Sequence, residues 1–310
     1  MTRYDWTHLI LLSLLFGSSF FFVALAVEHV PPLAMALART ALAAATLAAL
    51  LVLTGRGWPR GGRVWLALAT MGLVNNAVPF TLIAIAQGGL ASGVAAILNA
   101  TAPLWAVLIA LLVGIDERLS LRRAAGVAVG FFGVVTMVGA AALAEGVGTV
   151  VAALCSLGAA LAYAVSGLWG RRLAGMGVAP LPGAFGQTLC AALLLAPVVM
   201  LVDRPWALDM PPASALLALA GLGLLSTGAG YVVYYRLLAS AGAVNLMLVN
   251  YLIPITALAL GVGLLGEALA LRHLAGMALI ALGLALADGR AMGRLRAGLA
   301  RRRANPDARS

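Results

Sequence analysis

The heptapeptide ILNATAP, at residues 97–103, recurs in altered form as LVNYLIP at residues 248–254. Asn99 and Pro103 of the first copy match Asn250 and Pro254 of the second, at an offset of 151 residues. The match continues downstream in the pairs Glu117 and Glu267, Gly126 and Gly276, and Gly133 and Gly283. A period of this size in a chain of 310 residues indicates that the second half repeats the first.

The sequence on both sides of these motifs is strongly apolar. Hydrophobic residues make up 63% of the chain and charged residues 10%, whereas soluble domains carry about 25% charged residues. A stretch of about 20 apolar residues is long enough to cross a hydrocarbon core of roughly 30 Å. Ten such stretches are present, at residues 7–27, 33–54, 64–88, 91–114, 121–142, 149–170, 180–202, 213–238, 242–265 and 271–289.

The repeat and the ten spans together predict the fold class. Each half contains five spans, and an odd number of spans places the two halves in opposite orientations, as in many secondary transporters. We therefore predict an all-α membrane protein with ten transmembrane helices, built as two inverted five-helix repeats around a central cavity. The predicted divisions are a first repeat at 1–142, a second repeat at 143–289 and an arginine-rich tail at 290–310.

The chain has a net charge of +10, and the placement of its arginines indicates its orientation in the membrane. With the N-terminus inside, 17 arginines fall on the cytoplasmic side and only Arg204 and Arg272 on the other. This excess predicts that both termini are cytoplasmic. The chain lacks the basic and aromatic modules that nucleic-acid recognition requires, so we expect lipid and no nucleic acid as a partner.

The segment VNNAVPF, at residues 74–80, places two amides at the depth of the hydrocarbon. An unpaired amide there costs several kcal/mol, so Asn75 and Asn76 are expected to face protein or water. Pro79 clashes with the carbonyl of Asn75 and weakens the helix. The equivalent stretch of the second half carries Ser226 and Thr227. The pair of sites predicts a binding cavity on the repeat axis, with interhelical hydrogen bonding as the alternative.

Proline and aromatic residues complete the candidate site. Pro79, Pro103 and Pro254 are candidate kinks or hinges, and the asparagine four residues before each of the last two either relieves the kink or lines the cavity. Deep aromatic residues are candidates for substrate contact or packing, and Tyr234 and Tyr235 for a rim or gate. The predicted cavity residues are Asn75, Asn76, Asn99, Tyr163, Trp169, Ser226, Thr227, Tyr231 and Asn250.

Two parts of the chain resemble a known family. LLFGSSFFFVALAV followed by PPLAMALART, and the stretch from VVYYRLLAS to ALRHLAG at residues 232–276, are similar to the EamA family of the drug/metabolite transporter superfamily. The resemblance implies a ten-helix carrier of the bacterial inner membrane, with a cavity lined by helices 1, 3, 4, 6, 8 and 9. Helices 2, 5, 7 and 10 would be peripheral. Within the family the chain most resembles exporters of aromatic amino acids.

The charges inside the spans bear on mechanism. No Asp, Glu or His lies at the middle of a predicted span, which favours facilitated diffusion or exchange over a buried proton relay. Arg39 lies within a span, and we expect it to bond neighbouring carbonyls or extend to the interface; neutralisation of a substrate carboxylate is the alternative.

We predict an alternating-access transporter that exports small neutral or zwitterionic metabolites, above all aromatic amino acids. The alternatives are a proton-coupled exporter of other hydrophobic compounds or drugs, and a channel-like pore. The sequence contains no set of residues typical of an enzyme or a metal site, so we expect no catalysis, cofactor or metal. The expected partners are a small-molecule substrate and the lipid bilayer, with a monomer favoured.

Overall fold

The computed structural model describes residues 1–112 and 121–288. Within these ranges the chain is helical and has no β-strand. The apolar helices are α1 Arg3–Ala26, α2 Pro32–Leu53, α3 Gly62–Gln87, α4 Ser92–Leu112, α5 Leu121–Glu145, α6 Val147–Gly175, α7 Pro180–Val202, α8 Ala213–Gly242, α9 Val249–Leu265 and α10 Leu271–Asp288. A short 3₁₀ helix, Pro205–Ala207, lies between α7 and α8.

These helices coincide with the ten predicted spans, and the largest difference in bounds is at the start of α9. In the described part of the chain, α1 to α8 are long and apolar enough to cross a membrane. Helix α9 begins at Val249 and not at 242, because Gly242 has a φ of 76° and a turn follows at residues 247–248. The 17 residues of α9 span about 25 Å, somewhat less than a hydrocarbon core of about 30 Å.

Local sequence signals set several helix ends. Thr2 caps α1: its hydroxyl accepts a hydrogen bond from the backbone N–H of Asp5 at 3.2 Å, and the Asp5 carboxylate accepts one from the backbone N–H of Thr2 at 2.7 Å. This reciprocal pair is a capping box. Helices α2 and α7 both begin with proline, whose fixed φ suits the first helical turn. Helix α9 ends at Gly266, which has a φ of 69° and so forms a left-handed cap.

The larger of two compact units contains Met1–Ala102 and Glu145–Leu269. In it α2 packs on α7, α1 on α9, and the part of α3 after Val78 on α6. Small residues allow these helices to approach closely: a Cβ added to Gly17 would lie 2.6 Å from the Thr256 Cβ, and one added to Gly72 would lie 2.5 Å from the Gln187 carbonyl oxygen. Close packing at glycine is typical of helix contacts in membranes.

The second unit contains Pro103–Ala144 and the chain from Ala270 onward. Here the glycines of α5 face those of α10. A Cβ on Gly126 would lie 2.7 Å from the carbonyl oxygen of Gly283, and a Cβ on Gly133 would lie 2.8 Å from that of Gly276. Backbone therefore packs directly on backbone where these two helices cross.

Each unit takes residues from both of the predicted halves, so the halves are interleaved in space. The predicted division into repeats at 1–142 and 143–289 and their opposite orientation remain predictions. Glu117 and the tail at 290–310 lie outside the described residues.

Candidate functional site

Both polar stretches singled out in the sequence lie in π-helical turns. Leu73–Ala77 of α3 and Gly221–Ala229 of α8 form π-helix within otherwise α-helical spans. In α3 the N–H of Val78 bonds to the carbonyl of Leu73, five residues earlier. A π turn holds more residues than an α turn, and such turns are frequent at functional sites. Pro79 follows directly, and the wider turn accommodates it.

The amides of α3 join one hydrogen-bond network with α8. The Tyr231 hydroxyl donates to Asn76 Oδ1 at 2.7 Å and accepts from Asn75 Nδ2 at 3.1 Å. Asn75 Nδ2 also donates to Gln187 Oε1 at 3.3 Å, and the Ser166 hydroxyl donates to Asn75 Oδ1 at 2.8 Å. Asn76, Gln187 and Tyr231 are buried. The network therefore ties α3, α6, α7 and α8 together in the interior of the larger unit.

Arg39 of α2 is buried in the same interior and bonds to the second π segment. Its side chain is 6% exposed, and Nε donates to the Thr227 hydroxyl at 2.8 Å. The guanidinium lies over the Phe80 ring, 3.6 Å from the centroid, a cation–π geometry. Tyr163 and Tyr231 lie near enough to act electrostatically on it. Of the two expectations for Arg39, extension to the interface does not occur, because the side chain is buried. The expected bond to a neighbouring helix is present, but its acceptor is the Thr227 hydroxyl and not a carbonyl.

A third polar contact joins the first helix to the second π segment. The hydroxyls of Ser18 and Ser226 lie 3.1 Å apart, and Ser226 is fully buried. Ser226, Thr227 and Tyr231 are the three predicted cavity residues of α8, and each of them has a polar partner on another helix.

The predicted aromatic residues lie in two groups. Tyr231 stacks on Tyr235 with ring centroids 6.2 Å apart, and Tyr234 meets Tyr235 edge to face at 5.2 Å. The gate candidates are thus direct neighbours of the α3–α8 network. Trp169 lies apart from it: its indole N–H donates to the Ala67 carbonyl at 3.2 Å, and Arg172 lies over its ring.

Asn99 and Asn250 take no part in the network. Helix α4 is interrupted at residues 100–101, just before Pro103, and Pro254 lies inside α9. Asn99 Oδ1 is buried and has no hydrogen-bond partner in the described part of the chain. The hydrogen bond expected to relieve the kink at Pro103 is therefore not formed by this oxygen.

The network is closed in this structure in the sense that its side chains on α3, α6, α7 and α8 bond directly to one another. A cavity of about 650 Å³ is present elsewhere, lined by the α2–α3 connector and the start of α7, with Trp58, Arg60, Val178 and Pro182 in its wall. None of the predicted cavity residues lines it. Among the described residues, no group of three or more His, Cys, Asp or Glu side chains is placed to hold a metal ion.

Five residues of this site were not among the predicted cavity residues: Ser18, Arg39, Phe80, Ser166 and Gln187. A further sequence match between the halves indicates two of these residues. PLAMALART, residues 32–40, aligns with PLPGAFGQT, residues 180–188, and pairs Arg39 with Gln187. The family resemblance implied that helices 2 and 7 are peripheral, whereas Arg39 of α2 and Gln187 of α7 are buried beside the network.

Comparison with protein families decides the membership of the chain. The profile described as the EamA-like transporter family matches residues 7–139 and 150–287. The chain belongs to this family. The unmatched residues 140–149 between the two ranges include the end of α5 and the start of α6.

Two named proteins and one solved structure show how similar this EamA-family chain is to individual relatives. It is 29% identical to the inner membrane transporter YedA of Escherichia coli (strain K12) over 259 residues, which cover 83% of this chain and 82% of YedA. It is also 29% identical to protein PecM of Dickeya dadantii (strain 3937), over 77% of this chain and 79% of PecM. One crystal structure superposes on this chain with a TM-score of 0.65 and 23% sequence identity, and the match covers 92% of this chain and 97% of the other. This similarity is one of fold.

Proposed function

We propose that this EamA-family protein is an inner-membrane transporter that exports small neutral or zwitterionic metabolites, with aromatic amino acids as the foremost candidates. The observation that carries the proposal is the buried network of Asn75, Asn76, Gln187 and Tyr231 between the two π segments. Polar residues at membrane depth are costly and mark substrate pathways. The relative YedA, named an inner membrane transporter, supports the same location for this chain.

The mechanism we propose is alternating access between two inverted repeats. Two matching features of the halves support it. The π segments lie at equivalent positions of α3 and α8. In the contact of α5 with α10, Gly126 faces Gly283, the repeat equivalent of Gly133, and Gly133 faces Gly276, the repeat equivalent of Gly126. Opening the site would require the α3–α8 hydrogen bonds to separate, since the network is closed here. Both termini would lie in the cytoplasm, as the arginine distribution predicts.

We propose facilitated diffusion as the energetic mode. Within the described residues, none of the buried side chains around the network is Asp, Glu or His, and these are the groups that usually relay protons in carriers. The charge nearest the network is Arg39, which stays protonated at all physiological pH values.

The test is counterflow of labelled phenylalanine in liposomes containing the purified protein, with and without an imposed pH gradient. We expect saturable counterflow that the gradient does not change. The Asn75→Leu variant removes the amide that bonds Gln187 and Tyr231 and should lower kcat/KM at least tenfold. Asn245→Leu is the matched control, because among the described residues the Asn245 side chain bonds only to the Ala241 carbonyl, four residues earlier.

The other outcomes separate the rival functions. Accumulation driven by the pH gradient would establish proton coupling, and linear flux without counterflow would establish a channel-like pore. The absence of counterflow for every amino acid would remove the substrate class.

A further inference from the structure

Arg39 is a buried cation whose charge no side chain of the described residues neutralises. Of the five N–H donors of a guanidinium, one is used by the Thr227 hydroxyl, and one face of the group covers the Phe80 ring. None of the described carboxylates forms an ion pair with it, and its electrostatic neighbours are Tyr163 and Tyr231. Buried charges in proteins are normally paired, because an unpaired one is expensive.

The repeat shows that this charge is a departure from the symmetric arrangement. The equivalent residue of Arg39 in the other half is the neutral Gln187. Asn76 of the first half bonds directly to Tyr231 of the second half at 2.7 Å. The repeat-equivalent pair is Thr227 of the second half and Phe80 of the first, and Arg39 contacts both of them. One side of the site is therefore neutral and already hydrogen-bonded, and the other is cationic with donors left over.

Two further donors of the same interior lack partners. Asn76 Nδ2 is buried and has no hydrogen-bond partner among the described residues, and Asn76 lies one turn before Phe80 on the same face of α3. Tyr163 packs with Phe80 in one apolar cluster, and no hydrogen bond of its hydroxyl occurs in the described part of the chain. Unused donors around an unpaired guanidinium are suited to an anion with several acceptor oxygens.

We propose that Arg39 binds the carboxylate of the transported substrate, which makes the substrates carboxylic acids or amino acids and excludes the matching amines and amides. The proposal rests on the proposed function, since it assigns a group of the substrate to that same site. A carboxylate fits the planar guanidinium through two parallel hydrogen bonds. When the site opens, the substrate carboxylate would supply the negative charge that the described residues do not supply to Arg39.

The test compares phenylalanine counterflow in three variants and with three competitors. Arg39→Gln introduces glutamine, the residue at the equivalent position 187 of the other half. Arg39→Lys keeps the positive charge but loses the paired N–H donors of the planar guanidinium. Arg63→Gln is the control, because Arg63 is exposed and the same charge is lost. The competitors are 3-phenylpropionate, which has the carboxylate alone, phenethylamine, which has the amine alone, and phenylalaninamide, in which the carboxylate is blocked.

We expect 3-phenylpropionate to compete in the wild type and the other two compounds to be at least tenfold weaker. Arg39→Gln should raise the KM for phenylalanine at least tenfold and abolish competition by 3-phenylpropionate, Arg39→Lys should be intermediate, and Arg63→Gln unchanged. Equal competition by all three compounds, or an unchanged KM in Arg39→Gln, would overturn the proposal. If Arg39→Gln does not fold, Thr227→Val removes the acceptor that orients the guanidinium and should raise the same KM.

If the proposed transport function is wrong, the experiments give a different set of results. If the wild type shows no counterflow of phenylalanine, the thermal unfolding of purified protein with 3-phenylpropionate or phenethylamine still tests Arg39. Stabilisation by the carboxylate alone, lost in Arg39→Gln, would keep the anion site without the transport substrate. No stabilisation by the carboxylate would overturn both.

Discussion

At the scale of single residues, the buried polar side chains of α3 and α8 depend on each other for hydrogen bonds. Tyr231 serves both Asn75 and Asn76 through one hydroxyl, as donor to one and acceptor of the other. A buried polar group that loses its partner costs about 1–3 kcal/mol. Each member of the network therefore stabilises the closed arrangement.

Removal of that hydroxyl gives a prediction for stability. Tyr231→Phe keeps the ring and leaves Asn76 Oδ1 without its donor, so we expect the free energy of unfolding to fall by about 1–3 kcal/mol. Thermal unfolding in detergent measures the effect. Tyr4→Phe is the control, since Tyr4 is 55% exposed. Equal losses in the two variants would show that the α3–α8 bonds do not stabilise the fold.

At the scale of helices, close contacts at glycine fix how α2 approaches the π segment of α8. A Cβ added to Gly223 would lie 2.5 Å from the Leu42 Cβ and 3.2 Å from the Arg39 carbonyl oxygen. The contact positions the backbone that carries Ser226 and Thr227. The site depends on these approaches as much as on its polar groups.

Alanine substitution at two glycines should have opposite effects. Gly223→Ala is expected to destabilise the protein by about 1–3 kcal/mol, because it overpacks the α2–α8 contact. Gly167→Ala in α6 meets no atom within 4 Å and should be neutral or stabilise by up to about 1 kcal/mol, as alanine favours helix. The two melting temperatures in detergent test this, and similar shifts of the same sign would contradict it.

The start of α4 is capped by a carboxylate that lies just after the end of α9. Glu267, just after α9, accepts the backbone N–H of Ser92 at 2.7 Å and that of Gly93 at 3.2 Å at the start of α4. A negative charge at a helix N-terminus is favourable by about 0.3–1 kcal/mol, and by up to about 2 kcal/mol where it is partly buried.

Neutralising this carboxylate should loosen the joint between α9 and α4. We expect Glu267→Gln to lower the free energy of unfolding by about 1 kcal/mol. Glu28→Gln, at an exposed connector position, is the matched control. Thermal unfolding of both variants measures the difference, and a Glu267→Gln protein as stable as the control would show that the cap contributes little.

At the scale of the whole molecule, the sequence predicted what depends on length and apolarity, and missed what depends on helix rotation. The ten apolar stretches have helical counterparts because a lipid-crossing segment must be long and apolar. Helix α9 starts late because a single residue, Gly242, adopts a left-handed φ that hydropathy does not report. The burial of Arg39 was missed because one charge in an apolar helix carries no information about which neighbour it faces.

The orientation of the chain gives a prediction for labelling. Gly57→Cys lies in a predicted cytoplasmic connector and Asp209→Cys in a predicted periplasmic one, and both positions are exposed. A membrane-impermeant thiol reagent applied to spheroplasts should label Asp209→Cys at once and Gly57→Cys only after permeabilisation. The wild type, whose Cys155 and Cys190 lie within α6 and α7, is the background control. The reverse pattern would invert the assigned topology.

The π-helical turn in α3 confines changes of chain length to the site itself. It holds one residue more than an α-helical turn needs, so deletion of a residue from Leu73–Ala77 restores α-helical bonding locally. The parts of α3 on either side keep their facing, because the surplus residue is absorbed within the turn. We therefore expect a single-residue deletion at this point to be tolerated and to remove or re-aim an amide. Such a deletion would alter the polar groups of the site and leave the rest of α3 in place.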